Sequence, residues 1–210
     1  MHKMDNVTVK NHWQDVYSNK PVTDTSWFQE NAELSICLIE QTGAGSASHI
    51  IDVGGGASPL VDGLLARGFL HITVLDISAA ALRVAQERLG SRSSQVAWLE
   101  TDITTVSLPQ HQFDVWHDRA VFHFLTRAED RARYVETVQY AVKPGGHVIV
   151  ATFDLDGPNR CSGLETMRYS PETLHGEFGN AFELVQSIPE LHKTPFGTDQ
   201  KFIYCYCRKH

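Results

Sequence analysis

Five short apolar runs, separated by segments that carry helix punctuation, restrict this chain to a narrow set of folds. The runs are His49–Val53, His71–Leu75, Gln95–Leu99, Phe113–His117 and His147–Phe153. Val, Ile, Leu and Phe fill them with little polar alternation, the pattern of strands buried on both faces. Ser58-Pro59 opens one intervening segment and Arg67-Gly68 closes it. Ser78 is placed to cap AAALRVAQERL, which stops at Gly90, and Thr126 with Glu129 makes a capping-box pair ahead of DRARYVETVQYAV. That segment ends at Lys143-Pro144-Gly145-Gly146, and Ser170-Pro171 opens a last short helix before Gly179. Strands and helices alternating at this spacing give a parallel sheet covered by helices.

The tail differs. Phe182–Ile188 and Lys201–Cys207 are strand-like with no helix between them, so an antiparallel edge pair is expected. The predicted fold is α/β: a Rossmann-like, doubly wound, seven-stranded sheet, mostly parallel with an antiparallel C-terminal edge pair. Residues 1–42 read as two helices forming a lid or flank, punctuated by Trp13, Tyr17, Trp27 and Phe28. Residues 43–210 read as the sheet proper, and 210 residues suit one domain.

A formal net charge of −7 argues against a protein that lives on nucleic-acid backbone, which needs a surplus of Lys and Arg. No apolar stretch is long enough to cross a bilayer, and the polar N-terminal segment carries no secretory signal. Cys37, Cys161, Cys205 and Cys207 form neither a C-x-x-C pair nor a disulfide framework, so no metal is expected and the expected compartment is the cytoplasm.

The sharpest local signal is IIDVGGGASP, from Ile50 to Pro59. A buried strand runs into Gly54-Gly55-Gly56 and then into a capped helix, a turn that lets backbone approach a ligand and offers unpaired N–H groups. Three acids sharpen it. Asp52 precedes the glycines where a pyrophosphate-binding loop has an apolar residue; an acid there suits a ligand carrying an amino group and a sulfonium. Asp76 ends the second strand, at the distance where a carboxylate reaches ribose hydroxyls. Asp102 follows the third strand, placed to accept from an adenine amino group, with Ile103 beside it to pack on the ring. Singly, each acid is also explicable as a cap or turn residue.

On these residues the chain resembles the class I S-adenosylmethionine (SAM)-dependent methyltransferases from about residue 43 to 208. Asp52-Val53-Gly54-Gly55-Gly56 is similar to the family's acid-x-Gly-x-Gly loop. Asp76, followed by Ile77, matches the ribose-binding acid, and Asp102-Ile103 the adenine-binding pair. Lys143–Gly146 resembles the turn before the fifth strand; Ser58 stands where a further loop glycine is frequent. Trp116-His117-Asp118-Arg119-Ala120 looks like the fourth-strand motif of thiopurine methyltransferase-like enzymes, whereas HWQDVY and SWF are reminiscent of small protein-lysine methyltransferases. The resemblance implies SAM as cofactor, with His117 beside it.

Methyl transfer from a sulfonium is an in-line displacement that rewards positioning and a dry pocket. Asp118 and His123, after the fourth strand, are the candidate catalytic residues, with Asp118 as active-site wall or as partner of Arg119, and His123 as base or as packing. Arg160, Cys161, Arg168 and Tyr169 follow the fifth strand as candidate substrate-selecting residues, and His192 reads as surface. The expected acceptor is a small molecule with a sulfur or nitrogen nucleophile. Alternatives are a protein lysine, a non-catalytic nucleotide-binding module and a dinucleotide-dependent oxidoreductase. The last is disfavoured because Pro59 replaces the final glycine of G-x-G-x-x-G.

Overall fold

The structure, a computed structural model, describes residues 6–210; residues 1–5 of the N-terminal flank lie outside the described residues. Two helices come first, α1 (Asn6–Asn19) and α2 (Glu33–Gln41). Then β1 (His49–Val53), α3 (Leu60–Ala66), β2 (His71–Asp76), α4 (Ala79–Leu89), β3 (Val96–Glu100) and β4 (Phe113–Arg119) alternate as the apolar runs require. The chain continues through α5 (Ala128–Ala141), β5 (Val142–Phe153), a small hairpin of β6 (Arg160–Cys161) and β7 (Leu164–Glu165), and α6 (Pro171–Phe178). It closes with β8 (Phe182–Lys193) and β9 (Asp199–Lys209).

The main sheet has seven strands in the order β3-β2-β1-β4-β5-β9-β8. β1 to β5 are mutually parallel, while β9 runs antiparallel to both β5 and β8. Strand order reverses between β1 and β4, and in an open α/β sheet that reversal leaves a crevice at the carboxyl ends of the strands. The core lies on both faces. Ile50, Leu60, Leu64 and Leu82 pack on one, and Ile51, Tyr134, Val138 and Leu174 on the other. Adjacent residues of β1 thus serve opposite layers, which is why the strand shows no polar alternation.

Several local expectations are met in detail. Ser78 Oγ accepts from the Ala81 N–H at 3.2 Å and Gly90 closes α4. Ser170 and Thr173 cap α6 reciprocally. Two others are corrected. No Thr126–Glu129 capping box forms: α5 starts behind Arg127 with no side-chain cap, and Glu129 and Asp130 in its first turn face the positive end of the helix dipole instead. Lys143–Gly146 is not a turn ahead of a strand but lies within β5, where the register against β4 shifts between Phe113 and Val115. A bulge there suits Pro144, which has no N–H for a ladder.

Candidate active site

The crevice at the strand ends opens into a cavity of about 660 Å³. Gly54, Asp76, Ile77, Asp102, Ile103 and His123 all line it, although they come from four separate strand ends. The turn after β1 is built for close approach. Gly54 has φ +70°, and a Cβ there would stand 2.0 Å from Val121 Cγ2. At Gly56 a Cβ would meet Ala81 Cβ at 2.5 Å and Asp76 Oδ2 at 2.7 Å, so the loop lies directly on the acid that ends β2.

Asp76 is buried and positioned by backbone. Its Oδ1 accepts from Ser78 N–H at 2.8 Å and its Oδ2 from Gly56 N–H at 3.1 Å. Each carboxylate oxygen keeps capacity for one further donor. Burial pushes its pKa up to about 6 against the pull of those bonds. Asp102 Oδ1 accepts from both the N–H and the hydroxyl of Thr104, at 2.8 and 2.7 Å, while Ile103 is buried beside it.

The other predicted residues stand behind this wall and are not among the lining residues. Gly55 covers the Asp52 carboxylate, with only 2.2 Å between Asp52 Oδ2 and a Cβ placed at that glycine. Asp52 Oδ1 is 2.7 Å from His117 Nδ1, and His117 Nε2 is 2.8 Å from Ser35 Oγ. Ser35 in turn approaches Tyr204 OH at 3.5 Å, and Tyr204 accepts from Arg119 Nε at 2.9 Å. His117 is therefore spent inside a buried polar chain rather than exposed to the cavity. Asp118 is fully buried too. It accepts from Val121 N–H (2.9 Å), Phe122 N–H (3.1 Å) and Tyr134 OH (2.6 Å), so it holds the turn after β4 in place. The anticipated Asp118–Arg119 pair does not form; Arg119 Nη2 pairs with Glu190 Oε2 at 3.0 Å.

The far half of the cavity is aromatic. Val9, Trp13 and Tyr17 on one face of α1 line it with Trp27, Phe124, Phe153 and Phe202. Trp13 packs edge-on against Phe124 at 5.0 Å and against Trp27 at 5.7 Å. Gln14 Oε1 ties α1 down, accepting from Ala80 N–H (3.1 Å) and Ser78 Oγ–H (3.2 Å) at the start of α4. Arg160 and Cys161 also reach the wall. Arg168 is exposed and donates to Leu155 O, Tyr169 packs in the core, and His192 is buried, not a surface residue, with Nε2 2.9 Å from Ser26 O. Arg119, Phe153 and Phe202 were not singled out as cavity residues from sequence. Phe202 reaches the site because β9 pairs Phe202 with Phe153, a long-range register that no local motif records.

Among the described residues no His/Cys/Asp/Glu group is arranged to hold a metal, and no helix is long and apolar enough to cross a membrane. Residues 50–146 match the family model of a methyltransferase domain. An uncharacterized methyltransferase of Mycobacterium tuberculosis is 36% identical over 104 residues, 50% of each chain, so this chain spans about half the length of that relative. EEF1A lysine methyltransferase 2 of Danio rerio is 25% identical over 198 residues, 86% of this chain and 77% of that one. The fold superposes on the N-methyltransferase NodS of Bradyrhizobium japonicum WM9 in complex with S-adenosyl-L-homocysteine (SAH), with a TM-score of 0.70 and 18% identity over 98% of this chain and 99% of that one. With the acid-glycine loop, the acids at successive strand ends and the seven-stranded order already in place, these likenesses show a methyltransferase domain over residues 50–146, on a fold shared with SAM-dependent methyltransferases.

Proposed function

We propose that the protein transfers a methyl group from SAM to a small-molecule acceptor, with sulfur and nitrogen nucleophiles favoured. The observation that carries this reading is the division of one cavity into a carboxylate-lined half and an aromatic half. The first half suits the cofactor. Asp76 offers one further acceptor site on each oxygen, the arrangement that paired ribose hydroxyls need. Asp102 is placed for an amino group, and Asp52 holds a buried Oδ2 with no partner among the described residues, beneath the glycine loop. Asp76 and Asp102 in the wall, with Asp52 beneath the loop, make a setting that repels a pyrophosphate, which disfavours a dinucleotide. When bound, SAM supplies an electrophilic methyl group on a sulfonium.

The chain's own residues then position and dehydrate. Trp13, Trp27, Phe124, Phe153 and Phe202 exclude water from the half of the cavity where the acceptor would lie, and a dry site favours a step that loses charge. A specific protein interface buries about 800 Å² per partner. The short hairpin at 160–165 is a small platform for that, which favours a small acceptor. The zebrafish relative supports a protein lysine as the second reading. A net charge of −7 disfavours nucleic acid. Four free cysteines suit a reducing compartment, which supports a cytoplasmic location.

The test is SAH release across a panel of thiols, selenols, amines, carboxylates and candidate proteins. Turnover of at least one free small molecule is expected. Methylation of a single lysine in one host protein, with no small molecule turned over, would replace this reading by the second.

A further inference from the structure

His123 sits in the single turn Phe122–Phe124, pinned by Met167 N–H donating to its carbonyl at 2.7 Å. Its ring stacks on Phe153 at 4.4 Å and meets Phe124 edge-on at 4.5 Å. Phe153 N–H donates to Nδ1 at 3.2 Å. A neutral imidazole has one bare nitrogen and one N–H. Since Nδ1 accepts, the proton resides on Nε2, and that nitrogen is buried without a partner among the described residues. A buried donor left unpaired is costly, so a group that accepts from it is the missing half of the contact. His123 also lines the cavity, on its aromatic side.

The surroundings keep the ring in this form. Burial and the nearby Arg119 guanidinium hold its pKa down to about 3. Arg119 lies over the Phe202 ring at 4.3 Å, and among the described residues no carboxylate bonds the imidazole. Burial keeps the Tyr17 hydroxyl and the Cys161 thiol protonated, Asp130 faces Arg127, and Glu165 stands exposed at the rim.

Resting on the methyltransferase reading, we propose that His123 recognises the methyl acceptor as a hydrogen-bond donor through Nε2–H, not as a general base. The substrate class is therefore an anionic nucleophile, a thiolate or a carboxylate, which sets aside the nitrogen acceptors of the broader reading because a methylated amine must still shed a proton. The acceptor's lone pair forms the bond to the methyl carbon as the carbon–sulfur bond of the sulfonium breaks, and that electron pair stays on the departing sulfur. An anion and a cation become two neutral groups, and no proton is released in the site. A carboxylate would attack through one oxygen; a thiolate accepts on sulfur.

Nitrogen-15 NMR of the imidazole in the SAH-bound protein reads the tautomer without turnover. The neutral Nε2–H form is expected from about pH 5 to 9. Kinetics supply the second readout. His123→Gln keeps a donor and cannot act as a base, so kcat/KM should stay within about three-fold, whereas His123→Leu should lose about ten-fold. Loss of a general base would cost both variants about 10²-fold or more. The pH profile then separates the two acceptors: flat for a carboxylate, rising with the thiol's own ionisation for a thiolate. A ring that titrates near neutrality, the Nδ1–H tautomer, or an amine or alcohol acceptor whose turnover both variants abolish overturns the proposal. Failure to bind SAH would instead sink the methyltransferase reading beneath it, so the two failures are told apart.

Discussion

Replacing Asp118 by alanine is expected to destabilise the folded protein by about 3 kcal/mol or more, because three buried donors lose their acceptor at once. Those donors are the Val121 and Phe122 N–H groups and the Tyr134 hydroxyl, which itself accepts from Trp116 Nε1–H at 2.9 Å. The loss spreads from the turn that carries His123 to the helix that covers the sheet. Asp118→Asn retains one acceptor oxygen and should cost markedly less. The pH dependence has a definite sign. Burial raises the folded-state pKa of Asp118 to about 6, so the folded protein takes up this proton before the unfolded chain does. The contribution of the group to stability therefore grows as pH falls from about 6 toward about 4, and the gap between wild type and Asp118→Ala should be wider at about pH 5 than at pH 7. Urea denaturation at the two pH values measures this. An alanine variant as stable as wild type, yet inactive, would return Asp118 to the chemistry.

Asp76→Ala is expected to weaken SAH binding by about 1.5–3 kcal/mol, the loss of two hydrogen bonds to an ionised group. Asp76→Asn separates this from folding, since it keeps an acceptor for one of the two backbone N–H groups that the carboxylate holds. The wild-type affinity should also fall as pH drops through about 6, where Asp76 gains its proton and loses acceptor capacity. In Asp76→Ala that inflection should disappear. Calorimetry at two pH values on both proteins reads all of this, and an unchanged affinity in a folded alanine variant removes Asp76 from the cofactor site.

Much of the fold was legible because its signals are local. Runs of apolar residues without alternation marked the buried strands, and Ser78, Gly90 and Ser170 marked helix ends by their own chemistry. The bulge at Pro144 was not legible, since the apolar run alone gives no register. In the site, Gly54, Asp76 and Asp102 were findable because strand ends converge in any doubly wound sheet. What sequence does not carry is which way a side chain turns. His117 and Asp118 are neighbours on β4, yet one bonds Asp52 and Ser35 while the other bonds the following turn and Tyr134. Both face inward because the strand is buried on both sides. His123 was visible as an imidazole near the site, but its tautomer depends on Phe153, thirty residues away.

In the proposed function the strand-end carboxylates and the aromatic wall together form a SAM site. Calorimetric titration of the purified protein with SAH, alongside NADH, decides this. Saturable binding of SAH at one site per chain is expected, with no binding of NADH. Binding of NADH with no heat from SAH would contradict it.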